Sequence, residues 1–377
     1  MTATLEVPAT AAPAPAPRRS DLRRLPFLLP GGIALLAGLD AALMLLGLPA
    51  PVSAERLPDV HGMLLVLGFV GTLIALERAV ALGRRTGYLA PALLGAAAIL
   101  LVSPAPLPVA RAVLVAGAIA LTAVYVPLWR RQRDDAVLVQ ALGAVLAVGA
   151  ATLWLGGAPV PALLPWLVGF IVLTIVGERL ELARIAMGPQ GGRALVAGST
   201  ALTVTVVASL LWPRAGTPAV GLVLLGLVGW LVVHDVARRT VRARGLPRFM
   251  AASMLAAYFW LAVAGAVWLV GGQATEGVAY DAVVHAVFLG FTLSMIMAHA
   301  PVILPAVLRR PMAYHPALLF PAALLHASLV LRLWVGDALG VQTAWQVGGA
   351  LNIAALLGFV GVVVWSLARS GRQGGRS

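Results

Sequence analysis

Twelve apolar stretches of about twenty residues each, joined by short arginine-bearing connections, constrain this chain more than anything else in it. Hydrocarbon offers a backbone no hydrogen-bond partner, so each stretch must satisfy its own N–H and C=O groups, which an α-helix does internally. Composition agrees: 11% of the 377 residues are charged, against about 25% in soluble domains. The expectation is an all-α polytopic membrane protein in a lipid bilayer, with helices near 27–48, 60–82, 88–104, 107–129, 136–156, 162–186, 194–212, 217–237, 248–270, 279–300, 315–334 and 343–367. Residues 1–24, rich in Ala and Pro, read as a disordered tail without a cleavable signal; 25–369 form one membrane domain, and 370–377 a second tail.

Charge sets the expected orientation. All the basic residues are arginine, and with the N-terminus inside, 23 fall on the cytoplasmic side. Arg56, Arg111, Arg214 and Arg332 are the four left for the other side. An inner-membrane protein with both termini cytoplasmic follows. The net charge of +13 is spread over span ends, so it points to membrane orientation and not to a nucleic-acid partner. Cysteine is absent, which removes disulfides, thiolate metal sites, iron–sulfur clusters and covalent c-type haem attachment.

A short pattern recurs at four-span intervals. Gly68-Phe69 in span 2 is followed nine residues after the glycine by Glu77-Arg78, and Gly169-Phe170 in span 6 by Glu178-Arg179. Gly290-Phe291 in span 10 leads at the same spacing to His299. As a structural repeat it means three four-helix units around a pseudo-threefold axis.

Twelve spans in three arcs, with His61-Gly62-Met63 opening span 2 and His285 in the outer third of span 10, resemble the heme-copper oxidase subunit I fold. The segment from His285 to Pro305, with Gly290-Phe291 and Met295 to Met297, is similar to the histidine-bearing segment of NnrS-type proteins, haem proteins associated with nitric oxide metabolism. The resemblance implies a low-spin haem b held by His61 and His285, with Arg332 as the first candidate for the propionates and Arg56 and Arg111 behind it. It also has departures. Spans 6 and 7 contain no histidine, and span 10 carries one in the outer third where the oxidases carry two. The oxidase copper ligands are therefore missing, and a terminal oxidase is not expected.

From the residues alone, an ionisable side chain in the bilayer is a functional candidate, and two neutral imidazoles across a bundle suit haem iron. His61 beside Asp59 also suits a loop hydrogen bond. His326, inside span 11, is the rival axial ligand or a hydrogen-bonding neighbour. His299, about 21 Å along the helix from His285, belongs to another level. With Glu77 and Glu178 it could hold a second metal or pass protons; the alternative is ion pairing within Glu77-Arg78, Glu178-Arg179 and Glu181-Arg184. His234 falls near that level, His315 reads as interfacial, and Asp40 is open between a hydrogen-bond acceptor and a proton path. Met295 and Met297 read as core in preference to a copper(I) site.

The functional expectation is a membrane haem protein for nitric oxide metabolism or protection, or for electron transfer, with a redox donor and a small gaseous ligand such as nitric oxide as partners. A secondary transporter and a metal or haem assembly factor without catalysis are the rivals. Bound haem separates the first of these from the expected function.

Overall fold

The computed structural model describes residues 24–373, apart from Pro189 and Pro311. The first expected tail lies outside this range except for Arg24, whereas the last helix continues through Gln373, into the second. The described residues are helical with no strand, and twelve helices are long and apolar enough to cross a bilayer. They are Pro26–Leu45, Arg56–Leu82, Arg85–Val102, Leu107–Gln132, Asp135–Leu155, Val160–Met187, Gly191–Leu211, Pro213–His234, Leu246–Gly271, Gly277–Leu308, Pro316–Ala338 and Gln342–Ser370, numbered spans 1 to 12 below. This is a multi-pass membrane protein, and an even number of spans returns both ends of the described chain to one face of the bundle, here called the terminal face.

Local chemistry explains the span ends. Proline stands in the first turn of spans 4, 6, 8, 9 and 11, where its missing N–H is no loss. The Asp134 side chain accepts from the Ala136 N–H at 3.1 Å and caps span 5. Span 2 ends at Gly83, whose φ of +69° a side chain would disfavour.

Neighbouring spans pack in chain order, and span 12 returns to span 1, so the bundle closes as a ring. Within it, spans 2, 6 and 10 are the inner helices. Their apolar windows are 67%, 78% and 67% buried, against 28–56% for the other nine. Span 1 also packs on span 3 and span 5 on span 7. Span 9 reaches span 11 through Trp260, which meets both His326 and Trp334. Packing thus recurs every four spans, as the Gly-Phe pattern does.

The glycines of that pattern sit where helices approach closely. A Cβ on Gly169 would lie 2.5 Å from Leu146 Cδ1, and one on Gly290 would lie 2.4 Å from Trp260 Cγ. Three spans also widen to π-helical winding: Leu64–Val70, Ala286–Leu293 and Leu331–Ala338. Such segments are rare and concentrate at functional sites. The first two begin within a turn of His61 and directly after His285, and the third contains Arg332.

Candidate functional site: a two-histidine cleft

His61 and His285 line one cleft, although 224 positions separate them in sequence. Its walls come from spans 1, 2, 10 and 12, with Arg332 of span 11 at the edge, and it encloses about 680 Å³ of partly open space. His61 lies about 8 Å and His285 about 12 Å from the starts of their spans, from the rise per residue. Because spans 2 and 10 both start on the face opposite the termini, the two rings share a level.

Hydrogen bonding defines the state of each ring. His61 Nδ1 lies 3.0 Å from the Gly38 carbonyl, and His285 Nδ1 lies 2.9 Å from the Asp281 carbonyl. A carbonyl only accepts, so both Nδ1 atoms carry a proton, and neither Nε2 has a hydrogen-bond partner among the described residues. A carbonyl-anchored Nδ1–H is the usual orienting contact of a metal-ligating histidine. The expected partner of His61, Asp59, is not the one it uses. His285 Nδ1 also stands 3.1 Å from an Asp281 carboxylate oxygen.

Asp281 ties this histidine to Arg332. The guanidinium donates from Nε and NH2 to the two carboxylate oxygens at 2.9 and 2.8 Å, and it lies 4.9 Å over the Trp345 ring. Its NH1 group makes no hydrogen bond among the described residues. Gly348 and Gly349 make room for it, since a Cβ on either would come within 2.8 Å of Arg332. Asp281 was not singled out in the sequence, although its position four residues before His285 on one helix face was the available signal. Asn352 was missed too. It is 3% exposed, lines the cleft, accepts from Ser328 at 2.5 Å, and leaves its Nδ2 without a partner. Leu39, Leu65, Phe69, Phe288, Leu289 and Leu356 complete an apolar lining.

The other candidates go elsewhere. His326 is outside the cleft lining, and its Nδ1 accepts from Trp260 Nε1 at 3.0 Å, so its basic lone pair is already used. Arg56 caps span 3 by donating to the Ser103 and Ala105 carbonyls at 2.6 and 2.7 Å, and Arg111 lies over Trp154. Neither lines the cleft. His315 caps the start of span 11 through the Ala317 N–H, and exposed His234 stacks on Trp230.

His299, Glu77 and Glu178 all line a second cavity nearer the terminal face, and no group of three or more His, Cys, Asp or Glu placed to hold a metal is found among the described residues. His299 Nδ1 donates to the Met295 carbonyl at 2.7 Å, and Nε2 accepts from Arg179 at 3.0 Å. A guanidinium on that lone pair excludes a metal cation from it. The ion pairs differ from the expected ones as well. Glu77 does pair with Arg78, but Arg179 turns away from Glu178 to Asp235, and Arg184 pairs with Asp134.

The Arg179 cluster is a lock between inner and outer helices. Nε and NH2 both donate to Asp235 at 2.9 Å, and Tyr258 of span 9 donates to the same carboxylate at 2.8 Å. Burial alone would raise the Asp235 carboxyl, but the Arg179 hydrogen bonds and charge, with the Ala237 N–H and Tyr258, outweigh it and hold the group below the usual carboxylate range. Arg78 of span 2 likewise reaches Gln140 of span 5 at 3.0 Å and Glu181 of span 6 at 3.3 Å. Arg78 therefore bridges to the spans three and four places onward, and Arg179 to the segment after span 8 and to span 10, with span 9 joined through Tyr258 on Asp235. Met295 and Met297 are buried in the core.

The model of a family described as a domain of unknown function, DUF8744, matches residues 24–368. No curated protein matches the chain. With nearly the whole membrane domain covered, the chain belongs to the DUF8744 family.

Proposed function

We propose that this DUF8744 protein is a membrane b-type haem protein of the NnrS or heme-copper-oxidase-like kind, with haem iron bound by His61 and His285. The observation that supports the reading is a pair of Nε2 atoms without a hydrogen-bond partner among the described residues, each ring oriented by a carbonyl-bonded Nδ1–H, in one apolar cleft at one depth. The residues present fit the group. Leucine and phenylalanine walls suit a macrocycle, the Arg332 NH1 suits a propionate, and the buried Asn352 Nδ2 is a donor awaiting an acceptor.

When bound there, haem b would supply one-electron chemistry, or nitric oxide binding with one histidine off the iron. The chain's own contribution is positional. The Gly38 and Asp281 carbonyls fix the Nδ1–H of each imidazole and with it the orientation of the ring. Asp281 couples His285 to Arg332, so the histidine that would hold the iron and the cation that would meet a propionate share one hydrogen-bonded unit. Oxidase-type copper chemistry is not part of the proposal, because the matching positions in spans 6 and 7 have no histidine. On the arginine distribution the protein sits in a bacterial inner membrane with both termini cytoplasmic, and serves nitric oxide metabolism or protection, or membrane electron transfer.

The test is spectroscopic. Detergent-purified protein is recorded oxidised and dithionite-reduced, with a pyridine haemochrome assay, beside His61→Ala and His285→Ala. Sharp low-spin b-type bands, lost or turned high-spin in both variants, are expected. Colourless protein that stays colourless after haem supplementation overturns the proposal.

A further inference from the structure

The two histidines of the cleft are held unequally. His61 has one anchor, the Gly38 carbonyl of span 1 at 3.0 Å, a neutral acceptor on a neighbouring helix. His285 donates to the Asp281 carbonyl of its own helix at 2.9 Å, and its Nδ1 also stands 3.1 Å from an Asp281 carboxylate oxygen. Among the described residues no acidic side chain pairs with His61.

The Asp281 carboxylate is fixed in turn. Arg332 grips both of its oxygens at 2.9 and 2.8 Å and packs over the Trp345 ring at 4.9 Å, so the support of His285 runs through spans 10, 11 and 12. The support of His61 ends at one carbonyl.

This difference bears on what each Nε2 can do. An anionic oxygen beside an Nδ1–H draws the proton outward and raises the donor strength of the opposite nitrogen. A neutral carbonyl does so less, since hydrogen bonds to charged groups are roughly twice as strong as neutral ones. Of two rings on one iron, the weaker donor with the lighter anchoring is the one that yields. The free space agrees. The cleft joins the second cavity through Leu35, Phe69, Val70 and Thr292, and three of these four belong to spans 1 and 2, the wall that carries His61.

We propose that His61 is the exchangeable axial ligand and His285 the permanent one, so that a diatomic gas takes the position His61 leaves. In this exchange the bond from His61 Nε2 to the iron breaks and its lone pair returns to the ring. The gas donates a lone pair in its place, and no proton or electron changes hands. The inference rests on the haem reading and deepens it: Asp281 is a positioning residue that decides which side of the site opens.

Resonance Raman spectroscopy separates the two histidines. Reduced wild-type protein in nanodiscs is loaded with carbon monoxide, the gas is released by a laser flash, and the iron–histidine stretch of the transient five-coordinate site is recorded. In Asp281→Asn this stretch is expected at lower frequency, because the retained ring has lost its anionic neighbour. His61→Ala is expected to keep its haem and to reproduce the wild-type stretch. It should also bind carbon monoxide at least about tenfold more tightly, with no internal ligand left to displace. His285→Ala is expected to lose most of its haem.

A stretch unchanged by Asp281→Asn, or reproduced by His285→Ala in place of His61→Ala, makes His285 the ligand that leaves and overturns the proposal. Wild-type protein that takes up no carbon monoxide overturns it as well. Where Asp281→Asn fails to fold, the match between His61→Ala and the wild type decides. Colourless protein is a separate failure: it refutes the haem reading itself, and this inference falls with it.

Discussion

Removing the Asp235 carboxylate tests the polar lock most directly. Asp235 and Arg179 are each 4% exposed, and the carboxylate accepts four hydrogen bonds: two from Arg179, one from Tyr258 and one from the Ala237 N–H. In Asp235→Ala the guanidinium keeps its burial and its contact to His299 but loses its counter-charge. Stranding one partner of a buried pair costs about 3–5 kcal/mol. The Tyr258 hydroxyl, 1% exposed as a residue, loses its acceptor too, at about 1–3 kcal/mol on its own. These penalties share partners and will not add fully, so the expected loss is about 4–6 kcal/mol, a large share of a typical stability. The assay is reversible unfolding in mixed micelles with Arg179→Met and the double variant Arg179→Met/Asp235→Leu alongside. The double variant is expected to recover most of the loss, since an apolar pair of similar volume replaces a buried ion pair at little cost. A loss under about 1 kcal/mol for Asp235→Ala, or a double variant no better than the worse single one, would refute the idea of a coupled, desolvated pair.

Further outcomes follow from the same contacts. The Asp235 carboxyl is held below its unfolded value of about 3.9, so its stabilisation is complete above that pH and is lost as pH falls through the folded value. Acid titration of unfolding should show this loss in the wild type and lack it in Asp235→Asn. Gly290→Ala places a Cβ 2.4 Å from Trp260 Cγ, and a cost of about 1–3 kcal/mol is expected. Gly361→Ala, with nothing within 4 Å, should be neutral or slightly stabilising in the same thermal assay. Arg332→Lys removes the forked contact to Asp281 and the packing on Trp345, so thermal stability should fall by about 1–3 kcal/mol. If Arg332→Lys matches the wild type, the fork has no energetic role.

How much of the site was legible before the tertiary structure depends on how local each piece of information is. His61 and His285 were found because an ionisable group in an apolar span is costly wherever the span ends up. Asp281 and Asn352 were passed over: the first stands near the start of its span and the second is a single polar residue in a long apolar run. Their importance lies in Arg332 and in an unpaired amide facing a cleft, and neither is visible along one helix. In the sequence His326 read as the rival haem ligand and His299 as a candidate at another level. Trp260 and Arg179 disqualify them by occupying their lone pairs across 66 and 120 positions.

The amino-acid sequence alone determined the twelve spans, their ends to within a few residues in most cases, and the return of both chain ends to one face. Each is decided within about twenty residues by hydropathy, by proline and glycine at helix ends, and by the rule that a backbone in lipid must bond to itself. Tertiary structure alone decided partners. In a bundle whose helices are apolar nearly all round, nothing in one span's periodicity says which face meets which neighbour. Glu178-Arg179 reads as an ion pair in sequence, yet adjacent helical residues point about 100° apart, and Arg179 pairs with Asp235. The same geometry leaves Glu178 on the second cavity without a hydrogen bond among the described residues, and the packing of spans 2 and 10 brings His61 and His285 to one cleft.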